Sequence, residues 1–290
     1  MLRTSKTFAL SLAAIALIAC GDEGPSLQEP SSGSPTGAPS STPPAASAGT
    51  DAGAFGSSSA DAPASSTPAP CTGDDLCVDF ESTAAAPTPV APNCSGTGAL
   101  ALDSTVAHTG TGSLRIDGKG GYCNHVFWSA GADALARFGD VVHVRFFVRF
   151  ASALGEEHVT FLASKDDATT KDLRMGGQKK VLMLNRELDD ATLPDLSPDG
   201  TAASREPVVD AWTCIELTLD RKTGAIQTQV DGTKLDALST GDGKFEQQWS
   251  TKSGPLGVTD LRLGWEAYGG GDMKLWLDDV AISRNPIGCF

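Results

Sequence analysis

Val141-Val142-His143-Val144-Arg145-Phe146-Phe147-Val148-Arg149-Phe150 is the stretch that decides how this chain folds. Val142, Val144, Phe146, Val148 and Phe150 share one parity; His143, Arg145, Phe147 and Arg149 share the other. A period of two is the side-chain repeat of a β-strand with one face in a core. Similar short alternating runs occur at 113–116, 158–162, 180–184, 213–219, 225–230, 261–265 and 274–277. Gly, Asp, Pro and Thr separate them, and 219–225 reads as a hairpin turn. Helix signals are weak, with one short helix expected at 132–137. Many short strands imply a single all-β domain over 71–290, a jelly-roll β-sandwich of the concanavalin A-like kind.

Upstream of that domain the chain changes character. Residues 1–20 begin with Arg3 and Lys6 and continue into an apolar run too short to span a bilayer. The run closes on Leu17-Ile18-Ala19-Cys20, which has the form of a bacterial lipobox. Cys20 is therefore the expected lipidation site of a lipoprotein signal peptide. Gly21 follows, where an Asp would favour inner-membrane retention, so export to the outer membrane or cell surface is expected. Residues 21–70 are rich in Ser, Pro, Ala, Gly and Thr, and no Lys or Arg occurs between Lys6 and Arg115. Such a segment buries too little apolar surface to offset its chain entropy and reads as a disordered tether.

The chain has 290 residues and a formal net charge of -14. That balance argues against a nucleic-acid partner, which needs a basic face against phosphates. Seven cysteines leave six once Cys20 is set aside, an even number suited to an oxidising compartment. Six cysteines allow 15 pairings, and the close pair Cys71 and Cys77 suits a small loop. No Cys-x-x-Cys or His-x3-His spacing supports zinc.

The second face of 141–150 carries the first candidate chemistry. Arg145 and Arg149 suit carboxylate binding, Phe147 suits stacking on a sugar ring, and His143 suits proton transfer. A solvated outer face, which commonly carries Arg, competes with that reading. In the late strand Arg262, Glu266 and Tyr268 share one parity, and Tyr268 precedes the flexible run Gly269-Gly270-Gly271. A rim tyrosine without a role competes there. No Gly-x-Ser-x-Gly elbow, P-loop or dinucleotide fingerprint occurs. Glu187-Leu188-Asp189-Asp190 lacks the following Glu of a two-carboxylate glycosidase strand.

Several segments taken in order resemble a known family. They are Val78-Asp79-Phe80-Glu81, the run from His108 to Ile116, the run from Val142 to Phe150, Gly176-Gly177-Gln178 and Leu182-Met183-Leu184-Asn185. Asp190-Ala191-Thr192-Leu193-Pro194, Trp212-Thr213-Cys214-Ile215-Glu216, the run from Trp276 to Ser283 and Ile287-Gly288-Cys289 complete the set. Together they resemble the core domain of the cellulose-induced protein ("Cip-one-like") family and its glucuronan lyase relatives. The resemblance implies a jelly roll, a polysaccharide groove, bound Ca2+, and lyase activity in some members. It also implies disulfides Cys94–Cys123 and Cys214–Cys289, which leaves Cys71 with Cys77.

Two functional expectations follow, with a structural surface domain as a third. The first is a lipid-anchored, monomeric lyase that cleaves uronic-acid polymers by β-elimination, with His143, Gln178 and Tyr268 catalytic. Arg145, Phe147, Arg149, Arg262 and Glu266 would then bind the anionic polysaccharide. The second is a non-catalytic polysaccharide-binding lipoprotein with the same groove. Structural calcium is expected between Glu81 and Asp279, carboxylates at opposite ends of the domain that would repel without a cation.

Overall fold

The core face of 141–150 is as the alternation predicts: Val142, Val144, Phe146, Val148 and Phe150 are all buried in one hydrophobic cluster. A computed structural model describes residues 75–81, 87–90, 94, 96–241, 244–250 and 254–289. The expected signal peptide, Cys20, the tether and Cys71, and with it the pairing of Cys71 with Cys77, lie outside the described residues. In chain order the described strands are β1 (Leu76–Val78), β2 (Ala99–Asp103), β3 (Ser113–Gly118), β4 (Val126–Ser129), β5 (Val141–Phe150), β6 (Val159–Asp166) and β7 (Lys171–Gln178). They continue as β8 (Val181–Arg186), β9 (Ala191–Leu193), β10 (Trp212–Asp220), β11 (Ala225–Val230), β12 (Thr233–Lys234), β13 (Arg262–Ala267) and β14 (Met273–Ser283).

These strands form two sheets. One runs β12-β11-β10-β5-β14-β3-β2, with β1 also paired to β14; the other runs β4-β13-β6-β7-β8-β9. The ladders between them are antiparallel. Their inner faces share one core: Leu114, Ile215, Leu275 and Ile282 from the first sheet meet Phe161, Met175, Leu184 and Trp265 from the second. Phe161 packs edge-on against Phe146 and Phe150 across the sandwich, with ring centroids 6.2 and 5.4 Å apart. The described residues lie within one unit, 61–290, an all-β sandwich.

The single short helix expected at 132–137 is instead a stretch of turns leading into a 3-10 turn at Ala136–Phe138. Two α-helical turns, Pro198–Ala203 and Gln247–Ser250, arise elsewhere. The first is capped by Ser197, whose hydroxyl accepts from the Gly200 N–H at 3.0 Å.

The outer face of β5 differs from expectation. His143, Arg145 and Phe147 are buried there, because two segments cover them. The C-terminal residues cross the face: the Ile287 and Gly288 N–H groups donate to Glu216 at 2.9 and 2.8 Å, and Cys289 is bonded to Cys214. The turn after β2 covers the rest, with the His108 ring stacked 3.5 Å from Phe147. Arg149 lies over Trp276 at 5.5 Å. This face is a second, polar-lined packing layer rather than an open groove.

Candidate functional site

The outer face of the other sheet carries a cleft of about 1080 Å³. Alternation places its side chains there. In β7, Leu173 and Met175 point into the core, so Arg174 and Gln178 point out. In β13, Leu263, Trp265 and Ala267 point in, so Arg262, Glu266 and the following Tyr268 share the outer face. Glu187 and Asp190 reach the cleft from the β8–β9 connection, and Thr192 from β9. Beyond β9 the wall is built by Asp195, Ser197, Asp199, Lys244 and Phe245.

His158 and Tyr268 stand at the centre. The β6–β13 ladder ends with Val159 opposite Ala267, and the next pair is His158 with Tyr268, whose N–H donates to the His158 carbonyl at 3.0 Å. Their rings stack 5.0 Å apart at 13°. Arg174 lies over the Tyr268 ring at 5.5 Å, and its Nη2 is 3.4 Å from Glu187 Oε2 and 3.5 Å from Glu266 Oε1. Gly176 lets β6 come this close: a Cβ there would overlap the Val159 carbonyl oxygen.

The electrostatics divide the two rings. Burial, and then the charge of Arg174, push the His158 imidazole down to about 4, so it is neutral at pH 7. Its Nε2 is buried without a hydrogen-bond partner among the described residues. Burial, and then a hydrogen bond to Glu266, hold the Tyr268 hydroxyl above its ordinary value, so it keeps its proton. Burial acts to raise Glu187, but the Asp172 N–H, Arg174 and Lys171 outweigh it and hold the carboxylate ionised. The site thus contains a neutral imidazole, a protonated phenol and a cation around one ring stack.

Of the residues named from sequence, Gln178 and Tyr268 line the cleft. Glu266 lies buried beneath Tyr268. Arg262 shares that face but is held by Asp172 and Asp260, both at 2.8 Å. His143, Arg145, Phe147 and Arg149 do not join them, because β5 belongs to the opposite sheet. His143 instead contacts the Thr218 hydroxyl at 3.0 Å and lies 3.7 Å from Glu216. Arg145 reaches the Gly288 carbonyl at 3.4 Å. The sequence pattern does not single out His158 or Arg174 as site residues, although the alternation Asp172-Leu173-Arg174-Met175 carries a usable signal.

Glu81 and Asp279 lie at the turn between β2 and β3. Glu81 accepts from the Thr111 N–H at 2.9 Å and the Gly112 N–H at 3.0 Å. Asp279 accepts from the Thr109 hydroxyl at 2.9 Å and contacts His108 Nδ1 at 2.6 Å. Burial, together with the charge of Asp279, pushes Asp278 up to about 7. Among the described residues, no group of three or more His, Cys, Asp and Glu side chains is placed to hold a metal. Cys94–Cys123 and Cys214–Cys289 are bonded. No helix among the described residues is long and apolar enough to cross a membrane.

A comparison with the curated proteins gives no match. Among solved structures, the cellulose-induced protein Cip1 is similar at 37% identity, with a TM-score of 0.68, over 74% of this chain and 100% of that one. An endo-β-1,4-glucuronan lyase from the fungus Trichoderma reesei aligns at 16% identity and a TM-score of 0.42, over 72% of this chain and 95% of that one. A CBM22 xylan-binding domain from Paenibacillus barcinonensis aligns at 16% and 0.38, over 74% and 97%. The polysaccharide-lyase-like family model described as "Cip1-like, core domain" matches residues 79–285. On that match and the identity to Cip1, the chain belongs to the Cip1-like core-domain family.

Proposed function

We propose that this protein is a polysaccharide lyase that cleaves uronic-acid polymers by β-elimination in the cleft of the six-stranded sheet. The observation that carries the reading is the stack of neutral His158 on protonated Tyr268 with Arg174 beside it. Elimination needs a base for the C5 proton, an acid for the leaving oxygen and a partner for the C6 carboxylate. The neutral His158 imidazole takes the C5 proton. The C5–H electrons form the C4–C5 double bond, the C4–O bond breaks, and its oxygen takes the Tyr268 proton. Return of the proton from His158 to the tyrosinate, directly or through water, restores the site. Arg174 and Gln178 hold the substrate carboxylate. Binding that carboxylate offsets the Arg174 charge that lowers His158, so the substrate itself makes the base stronger.

A second reading has its own support. Glu187, Asp190, Asp195 and Asp199 outnumber Arg174 and Lys244 along the cleft, a balance that suits a less charged glycan bound without chemistry. Incubation with glucuronan, alginate and xylan separates the two. The lyase reading expects rising absorbance from the conjugated uronate double bond on a uronic-acid polymer. Binding to any of the three without that product supports the non-catalytic protein instead.

Three further proposals accompany this one. The protein is exported and anchored at the outer membrane or cell surface through lipid on Cys20, and it acts as a monomer. Cys20→Ser abolishes incorporation of labelled fatty acid if so. Structural calcium sits between Glu81 and Asp279, supplemented by backbone carbonyls of the 109–112 turn. The donor chemistry suits a hard cation, since the Glu81 and Asp279 carboxylates repel one another there, answered by neutral donors, His108 and the more distant charge of Arg145. A melting temperature unchanged by chelator, with no calcium in the purified protein, rejects it.

A further inference from the structure

Tyr122 is 70% exposed, the most exposed of the large hydrophobic side chains among the described residues, and it stands beside the catalytic stack. Its ring lies 5.5 Å from that of Tyr268 at a tilt of 52°. The position follows from the sheet: β4 and β13 are antiparallel, so the residues before β4 meet those after β13. The strand order places His158, Arg174, Glu187 and Thr192 in sequence away from Tyr268, and Tyr122 on the opposite side of it. A polymer lying across the strands therefore leaves the cleft over Tyr122.

The loop that carries this ring is tied at several points. Cys123, the next residue, is bonded to Cys94. Asn124 donates to the Gly120 carbonyl at 2.6 Å and accepts from the Thr97 hydroxyl at 2.7 Å. Asp272 takes the Gly120 N–H at 3.0 Å and pairs with Lys119 at 2.5 Å, which joins the loop to the glycine turn after Tyr268. A ring on a loop already tied at its neighbours adds little loop-ordering cost when a ligand covers it. Aromatic faces are the usual surface for the apolar face of a pyranose ring, and here one extends the line of the cleft.

We propose that Tyr122 is a sugar-binding platform that takes the ring next to the one held at His158 and Tyr268. The inference rests on the cleft being a polysaccharide site, and it is tested by binding rather than turnover. Calorimetric titration with a glucuronan tetrasaccharide uses a His158→Ala parent so that no cleavage intervenes. Adding Tyr122→Ala should weaken binding about three- to tenfold, the loss expected for one stacking contact. Tyr122→Phe should stay within about twofold of the parent, because the ring remains. Both variants should melt with the parent, as the side chain is largely exposed. Equal affinity of the alanine variant and the parent overturns the platform. So does a phenylalanine variant as weak as alanine, which would assign the contact to the hydroxyl. If neither the parent nor wild type binds glucuronan, alginate or xylan oligosaccharides, the proposed function fails and takes this inference with it.

Discussion

His158 and Tyr268 show how environment sets the roles of two side chains that touch. Burial disfavours the charged form of each, so it lowers the imidazole and raises the phenol; Arg174 and Glu266 then add in the same directions. On the proposed lyase mechanism, kcat/KM should therefore show an acid limb near pH 4 in place of the ordinary histidine value. Its alkaline limb should lie above the ordinary tyrosine value. His158→Ala and Tyr268→Phe should each lower product formation at least about a hundredfold, the usual share of one acid or base. The same shift carries a stability cost with a defined sign. The folded pKa of His158 is depressed, so the unfolded chain binds the proton first as pH falls through its ordinary value near 6.5. Stability is lost between that value and about 4. Wild type should lose about 2–3 kcal/mol more than His158→Ala across that window in denaturant titrations, and equal losses would reject a buried neutral imidazole.

At the scale of the element, β5 and β7 fail and succeed for opposite reasons. The core face of β5 was legible because burial of one parity is a local property of the chain. What covers its other face was not, since that depends on the sheet β5 joins and on residues 287–289 returning from the far end of the sequence. Arg145 illustrates the consequence. It is only 3% exposed, so Arg145→Ala should destabilise the domain by about 1–3 kcal/mol and leave glycan binding intact, whereas Arg174→Ala should lose the glycan. Urea titration with an oligosaccharide binding assay separates the two. In β7 the pair Gly176-Gly177 weakens any strand signal, because glycine is a poor strand former. Yet that pair is required where β6 bends at its register shift and brings Val159 against Gly176. Gly176→Ala should therefore cost about 1–3 kcal/mol and displace His158, so activity should fall by more than the loss of folded protein accounts for. The glycines that cut short the strand signal of β7 are those that allow the site to form.

For the whole molecule, the two described disulfides act on different parts of the sandwich. Both pairings were implied by family resemblance, whereas spacing left the choice open. Cys214–Cys289 closes 75 residues and holds the C-terminal segment over Glu216, Arg145 and His143, on the sheet opposite the one that carries the cleft. Cys94–Cys123 closes 29 residues and holds the loop of Tyr122 beside the site. Chain entropy alone gives the longer loop the larger effect, about 4.5 against about 3.5 kcal/mol. Removing the longer bridge also uncovers a buried arginine and glutamate, which adds to its cost. The double variant Cys214→Ser with Cys289→Ser should therefore melt well below Cys94→Ser with Cys123→Ser. Glycan affinity should follow the reverse order among molecules that remain folded, because only the shorter loop carries a cleft ring. Thermal melts and titration below both transitions measure the two effects independently. A longer-bridge variant that binds more weakly than the shorter-bridge variant would show that the outer face of β5, not the cleft, supports the ligand.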